Sequence, residues 1–402
     1  MCAIQFFKCI FSILSFEKIE FFDFIFTSSD RKLQMVQNGI EDRRQKYFNL
    51  SSLIARLDNF ELRSLFKDNQ STLGWGQTHI VEIEEYPVFV KRIPVTQIEY
   101  ENLFSTKNLY NLPTFFNYGL GSAGLGVAGL NVFRELVANI KITNWLLEEE
   151  VANFPLMYHY RIIPYQGKHF DIDKSLLKGF VEYWGNNDSV GNYMVDRANA
   201  SYELVLFLEY IPYVLETWLL ENPSQTQKIL NELKKTIAFL KGKGIIHFDC
   251  HFGNILTDGE QIYLTDFGLV LDKSFVLSSD EVSFFEQNRF YDYGEVFRNL
   301  GLLIRGWYNS CSKKDKFKII EKYGIEPDLK SYELGKVLLE NIERINIDGD
   351  IELDNFYVDT IVKYRKIIIL IQNFFVEIWG NNRKDTKFPH IELELLLEEA
   401  GI

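Results

Sequence analysis

Apolar positions recur at helical spacing in several stretches of the chain and bunch into short runs in others. Leu53, Leu57, Phe60 and Leu65 form one face of a helix expected over 49–66, with Ser51 or Ser52 as its cap. The apolar residues around Val81 and Ile83, a turn over 84–87 and Val88-Phe89-Val90 predict two strands joined tightly, the second ending at Lys91. Helices are expected over 96–109, and over 131–147 with Asn131 as cap. Strands are expected over 158–163 and 202–210, the last being apolar throughout. Ile229, Leu230, Leu233, Ile237 and Leu240 mark a helix over 224–241 that Gly242 and Gly244 end. Two short apolar runs, Ile255-Leu256 and Ile262 to Leu264, flank Thr257-Asp258-Gly259, a strong hairpin signal. Beyond Tyr293 the pattern is helical, and Lys313, Lys314, Lys316 and Lys318 read as a solvated helix face.

Two stretches lack such a pattern. Residues 165–200 are polar and rich in Gly and Asn, with a turn expected at 185–188, and read as an insertion longer than a usual connection. Residues 119–129 are rich in Gly and Ala. They contain Gly119-x-Gly121-x-x-Gly124, but no alternation of strand, helix and strand surrounds it, so a flexible connection is favoured over a dinucleotide site.

Composition narrows the classes. The chain has 402 residues, a net charge of −13 and 47% hydrophobic residues, enough for two cored units. An acidic balance argues against nucleic acid as the main partner, because phosphate contacts need clustered Lys and Arg. Cys2, Cys9, Cys250 and Cys311 have neither zinc-ligand nor disulfide-framework spacing, which makes a reducing, cytoplasmic compartment the expectation. Cys250 reads as a small buried residue rather than a reactive thiol. Residues 1–34 are rich in Phe, but Lys8, Glu17, Lys18, Glu20 and Asp23 interrupt them, so no apolar run of about 18 residues is available for an integral membrane span. These residues are expected to lie outside the folded unit, with Met35 as a candidate start and a membrane-surface anchor as the alternative.

The candidate chemistry lies in residues 244–269, GIIHFDCHFGNILTDGEQIYLTDFGL. The hairpin would bring Asn254 and Asp266 near one another at its open end, with Asp249 in the loop before it. One carboxylate could then orient a hydroxyl, while the other and the amide could hold Mg²⁺, a hard cation that takes oxygen ligands.

This segment resembles the catalytic loop and metal-binding turn of the protein-kinase-like superfamily, with H-x-D-x-x-x-x-N followed by Asp266-Phe267-Gly268. The resemblance implies an α+β, two-lobed fold: a small antiparallel sheet with a helix over 35–210, then a mainly helical lobe over 211–402. It implies ATP and Mg²⁺ as cofactors. Asp249 would orient the attacking hydroxyl, and Asn254 and Asp266 would hold the metal. Lys91 would contact the phosphates and Glu135 would hold Lys91, with Glu99 and Glu101 as alternatives. Gly74 and Gly76 would cover the phosphates, and Val81 belongs to the same nucleotide-binding strand. The strand ending at Glu209-Tyr210-Ile211 would lead into the interlobe hinge, so Glu209 and Ile211 are nucleotide-binding candidates. Residues 269–289 would be the activation segment, and Asp292 would anchor the catalytic-loop backbone.

Three departures bear on the acceptor. Phe248 stands where many regulated protein kinases have Arg, so phosphorylation at Ser278 or Ser279 is not expected to be required. His251 stands where Ser/Thr kinases usually have Lys, and the run Asp249 to Asn254 is similar to aminoglycoside- and choline-kinase-type loops. It could donate to the γ-phosphate or simply pack on the loop backbone. No Ala-Pro-Glu triplet precedes Asp292. The expected activity is transfer of the γ-phosphoryl group to a hydroxyl, with protein Ser/Thr as the leading acceptor. A small-molecule acceptor and a weakly catalytic nucleotide-binding protein are the alternatives.

Overall fold

In a computed structural model, the described residues are 40–66, 71–73, 76–119, 129–165, 172–325, 329, 331–380 and 385–402. The expectations for residues 1–34, Met35, Gly74 and most of the Gly/Ala-rich stretch lie outside them. The fold is α+β: a small antiparallel sheet in the first half, and helices through most of the rest.

Helix α1 (Ile40–Arg56) stops before Asp58, whose side chain accepts the Phe60 and Glu61 N–H groups and starts the short α2 (Asn59–Ser64). The Glu61 carboxylate returns to the Asp58 N–H at 2.8 Å, completing a capping box. The helix expected over 49–66 is therefore two helices. Ser51 and Ser52 lie inside α1 and cap nothing, because Asp58 offers the backbone better local acceptors.

The sheet has strand order β1-β2-β3-β5-β4, from β1 (Ser71–Leu73), β2 (Gly76–Ile83), β3 (Tyr86–Val95), β4 (Met157–Pro164) and β5 (Tyr202–Glu209). All its neighbouring strands pair antiparallel. Glu84 and Glu85 make the two-residue turn between β2 and β3 with φ of 46° and 68°, a left-handed geometry reached without glycine. Both faces of the sheet are covered, which is why β5 is apolar from Leu204 to Leu208; it is not apolar throughout as expected, since Glu203 and Glu209 are buried near its ends, each paired with an arginine. Val88, Val90, Val205 and Phe207 join the main core, while Ile93, Leu204, Leu206 and Leu208 pack on Val132, Phe133 and Leu136. Strand alternation puts Lys91 on the second face, toward those helix residues.

They belong to α4 (Val132–Leu147), whose Asn131 cap accepts the Phe133 N–H as expected. The helix expected over 96–109 is only α3 (Gln97–Glu101). Thr96 and Glu99 cap it reciprocally, and the chain leaves helical geometry at Asn102 and at Phe104, φ 61°. Within the stretch read as an insertion, residues 174–198 fold as a helical hairpin. Asp173 caps α5 (Lys174–Tyr183) and Asn187 caps α6 (Asp188–Ala198), with Gly185 and Asn186 left-handed between them. Few apolar positions are needed because each helix buries one narrow face, including Phe180, Val190, Tyr193 and Met194.

After β5 come β6 (Tyr213–Val214), α7 (Leu215–Glu221) and α8 (Thr226–Gly242). Gly244, φ 75°, follows α8. Then come β7 (Ile245–Ile246), the hairpin β8 (Ile255–Thr257) and β9 (Ile262–Leu264), and β10 (Leu271–Asp272). Strand β6 pairs with β8, and β7 with β10. The rest is helical: α9 (Ser279–Gln287), α10 (Tyr291–Ser310), α11 (Lys313–Tyr323), α12 (Ser331–Glu340), α13 (Ile342–Ile347), α14 (Asn355–Phe375) and α15 (His390–Glu399). Helices α10 and α14 pack closely because Gly301 faces Ile368, and an added Cβ would come within 2.6 Å of it. Among the described residues no helix is long and apolar enough to cross a membrane.

Candidate active site

Strands β7 and β10 pair antiparallel, Ile246 opposite Leu271, so the chain entering the candidate loop is tied to the chain leaving the Asp266-Phe267-Gly268 turn. Past β7 the backbone turns at Phe248 with φ 65°, a conformation that costs a bulky residue about 1 kcal/mol. Asp292, at the start of α10, holds that turn by accepting the His247 N–H at 2.8 Å and the Phe248 N–H at 3.0 Å. The Phe248 ring is buried against Phe284 and Tyr291, with centroids at 5.4 and 4.9 Å. His247 is buried and neutral, its pKa lowered to about 4 by burial. Its Nδ1 accepts the Asp249 N–H at 3.2 Å, so Nε2 carries the proton and donates to the Thr265 carbonyl at 3.0 Å.

Those contacts fix Asp249. Its Oδ2 accepts Asn254 Nδ2 at 2.8 Å, and the same nitrogen lies 3.2 Å from the Asp249 carbonyl. The amide is thereby oriented with its nitrogen inward, and its oxygen remains for another partner. Burial pushes the Asp249 carboxyl up to about 6. His251 and the Asn254 amide oppose the shift, and the Asp266 and Glu295 carboxylates add to it. His251 Nδ1 accepts the Gly253 N–H at 3.1 Å, and its Nε2 lies 3.6 Å from Asp249 Oδ1. His251 is therefore bonded to the loop backbone through one nitrogen, and its other nitrogen faces the Asp249 carboxylate.

Asp266 also has a left-handed backbone, φ 62°, and its Oδ1 accepts the Gly268 N–H at 3.2 Å. The same oxygen accepts Lys91 Nζ at 2.8 Å, and Lys91 donates to Glu135 Oε1 at 2.7 Å. Burial alone would lower the Lys91 pKa. The Asp266 and Glu135 charges outweigh it and hold the ammonium charged. Burial would raise Asp266, but Lys91 brings it below the usual carboxylate range. Lys91 keeps a third donor, and the Asp266 side chain is 39% exposed, so both can meet a further ligand. Glu99 instead pairs with Arg197, and Glu101 accepts from Gln97, so Glu135 is the acid that meets Lys91.

The remaining expected residues divide. Gly76 opens β2 opposite Leu73, and Val81 sits in the core opposite Val88. Ile211 is buried just past β5. The Glu209 side chain pairs with Arg43 on α1, with Nη2 to Oε2 at 2.7 Å, and its N–H donates to the Leu156 carbonyl at 2.8 Å, so these two groups are already engaged. No family model matches the chain, and no curated protein is found similar to it.

Asp266 and the Asn254 amide oxygen are the groups here that could hold a hard cation. Among the described residues no three His, Cys, Asp or Glu side chains gather into a metal cage. An ion that keeps waters and phosphate oxygens takes only one or two protein carboxylates, so a site of this kind would not need such a cage.

Three long-range partners had no signal in the sequence. Arg43 also donates to the Ala152 and Phe154 carbonyls, tying α1 to the chain entering β4 as well as to the end of β5. Arg134, beside Glu135, bonds Glu281 on α9 at 2.6 Å in full burial. Lys141, on the same helix, bonds Asp272 of β10.

Proposed function

We propose that the chain is an ATP-dependent phosphotransferase of the protein-kinase type, with two lobes dividing near residue 210. It would move the γ-phosphoryl group of Mg-ATP to a hydroxyl. The observation that carries this reading is Lys91, hydrogen-bonded at once to Glu135 and Asp266, residues 44 and 175 positions away in the chain. Structural ion pairs also unite distant residues. This one differs because the partly exposed Asp266 stands on the hairpin whose other end carries Asn254 and Asp249.

In this role the third Lys91 donor would meet phosphate oxygens. Asp266 and the Asn254 amide oxygen would hold Mg²⁺, which when bound neutralises phosphate charge. Asp249 would orient the acceptor hydroxyl and take its proton. Catalysis of this kind rests on positioning and charge stabilisation.

A protein Ser/Thr hydroxyl is the leading acceptor, supported by the complete Asp266-Phe267-Gly268 turn and by Asp292 anchoring the loop. A small-molecule hydroxyl is the second reading, favoured by His251 beside Asp249 and by the missing Ala-Pro-Glu triplet. Purified protein incubated with labelled ATP and Mg²⁺, alone, with a generic protein and with a metabolite panel, separates the two by where the label goes. Asp249→Asn should abolish transfer and leave the fold intact. Thermal stabilisation by nucleotide with no label transferred would rule out catalysis and leave a binding protein.

A further inference from the structure

Helices α5 and α6 lie outside the candidate site, yet two side chains of α6 reach the elements that hold it. The hydroxyl of buried Tyr193 donates to the Gly129 carbonyl at 2.9 Å. Gly129, φ 67°, lies against the Gly268 carbonyl so closely that an added Cβ would sit 1.9 Å from that oxygen. Gly268 is the residue whose N–H the Asp266 carboxylate accepts. Tyr193 thus bears on the Asp266 turn through one residue.

The second reach is Arg197, almost fully buried. Its Nη1 and Nη2 each bond a Glu99 oxygen at 2.8 Å, and Nη1 also donates to the Pro94 carbonyl, three residues past Lys91 on β3. Glu99 Oε1 accepts the Val132 N–H at 3.1 Å, satisfying an otherwise orphaned donor in the first turn of α4, one turn before Glu135. A planar fork with both terminal nitrogens engaged in this way is a fixed spacer between β3 and α4.

We infer that the α5–α6 hairpin is a positioning element for the candidate site. Tyr193, through Gly129, seats the Asp266–Gly268 turn. Arg197, through Glu99, sets α4 and hence the Glu135 contact with Lys91. The consequence for nucleotide rests on the phosphotransferase reading; the mechanical coupling does not.

The test uses the full chain with Tyr193→Phe, Gly129→Ala and Arg197→Lys. The buried Ile345→Val on α13 serves as a control that lowers stability away from the site. Hydrogen exchange at the Gly268 and Val270 amides, without nucleotide, should quicken about tenfold in Tyr193→Phe and Gly129→Ala and stay unchanged in Ile345→Val. The Mg²⁺ concentration giving half-maximal thermal stabilisation by a non-hydrolysable ATP analogue should rise about tenfold in Gly129→Ala. It should rise less in Arg197→Lys, which keeps the charge but loses the fork. Unchanged exchange at Gly268 and Val270 in both variants would overturn the inference, whatever the nucleotide does. Quickened exchange in a protein that no nucleotide stabilises would support the coupling and sink the phosphotransferase reading alone.

Discussion

Arg43 and Glu209 meet as a buried forked pair, with Nε 3.1 Å from Oε1 and Nη2 2.7 Å from Oε2, across 166 residues of chain. A helix that precedes the sheet in sequence therefore fixes the point where the last strand of the sheet gives way to the helical part. Arg43→Ala would leave a buried carboxylate without its cation and should cost about 3 kcal/mol in urea unfolding. It should also raise the KM for ATP, because Ile211 lies two residues on. The double variant Arg43→Met/Glu209→Leu should recover most of the stability. A single variant as stable as the parent would remove the anchoring role of α1.

Lys91→Met and Glu135→Gln separate charge from position. The first removes the ammonium and should lower transfer about 100-fold or more. The second keeps a hydrogen-bond acceptor but loses the charge, so its loss should be smaller and expressed mainly in kcat. Steady-state turnover of ATP with circular dichroism on both variants checks this. Full activity in Lys91→Met would contradict the assignment of the site.

Activity and stability should part company in acid. Burial pushes the Asp249 carboxyl up to about 6, so transfer should fall as pH drops through that value. Stability responds with mixed sign. Asp249 and Asp292, both at about 6, retain protons in the fold that the unfolded chain releases near 4, so acidification over that window favours the fold. His247 works the other way. Its unfolded ring protonates below 6.5 while the buried ring resists until about 4. Asp266, held below its ordinary value, adds stability that persists until the pH falls under that range. Burial also raises Glu135, Glu203 and Glu232, which act with the two aspartates, and lowers His159, which acts with His247, so the opposing shifts predict a nearly level melting temperature from pH 7 to 5. A rate that stays constant to pH 5, or a melting temperature that drops in step with it, would refute the prediction.

Ser278 is already occupied structurally. Its hydroxyl accepts the Glu281 N–H at 3.2 Å, and its own N–H donates to Glu281 Oε2 at 3.0 Å, capping α9. Ser278→Ala/Ser279→Ala should cost about 1 kcal/mol of stability and leave turnover largely intact. Loss of most activity in a folded double variant would mean that phosphorylation there is needed after all.

What could be read from the sequence was local. Asp249, Asn254 and Asp266 lie within 18 residues, and Asp258-Gly259 marks the hairpin that folds them together. Asn131 was readable as a cap because capping is a contact between near neighbours. The contacts between Arg197 and Glu99, Arg134 and Glu281, and Arg43 and Glu209 were not readable. Each joins residues nearly a hundred or more positions apart, and a buried arginine in sequence looks like an exposed one. The helices within 165–200 went unread for a related reason: each buries a narrow face, so their composition remained polar.

The crowding of Gly129 against the Gly268 carbonyl has a use beyond this chain. A methyl group at position 129 leaves no room for the present course of residue 268, so any sequence following the same plan must economise on side chain there. Glycine at that place, paired with an aromatic hydroxyl about 64 residues later, makes a search key for distant kin that owes nothing to the acidic signature of the loop.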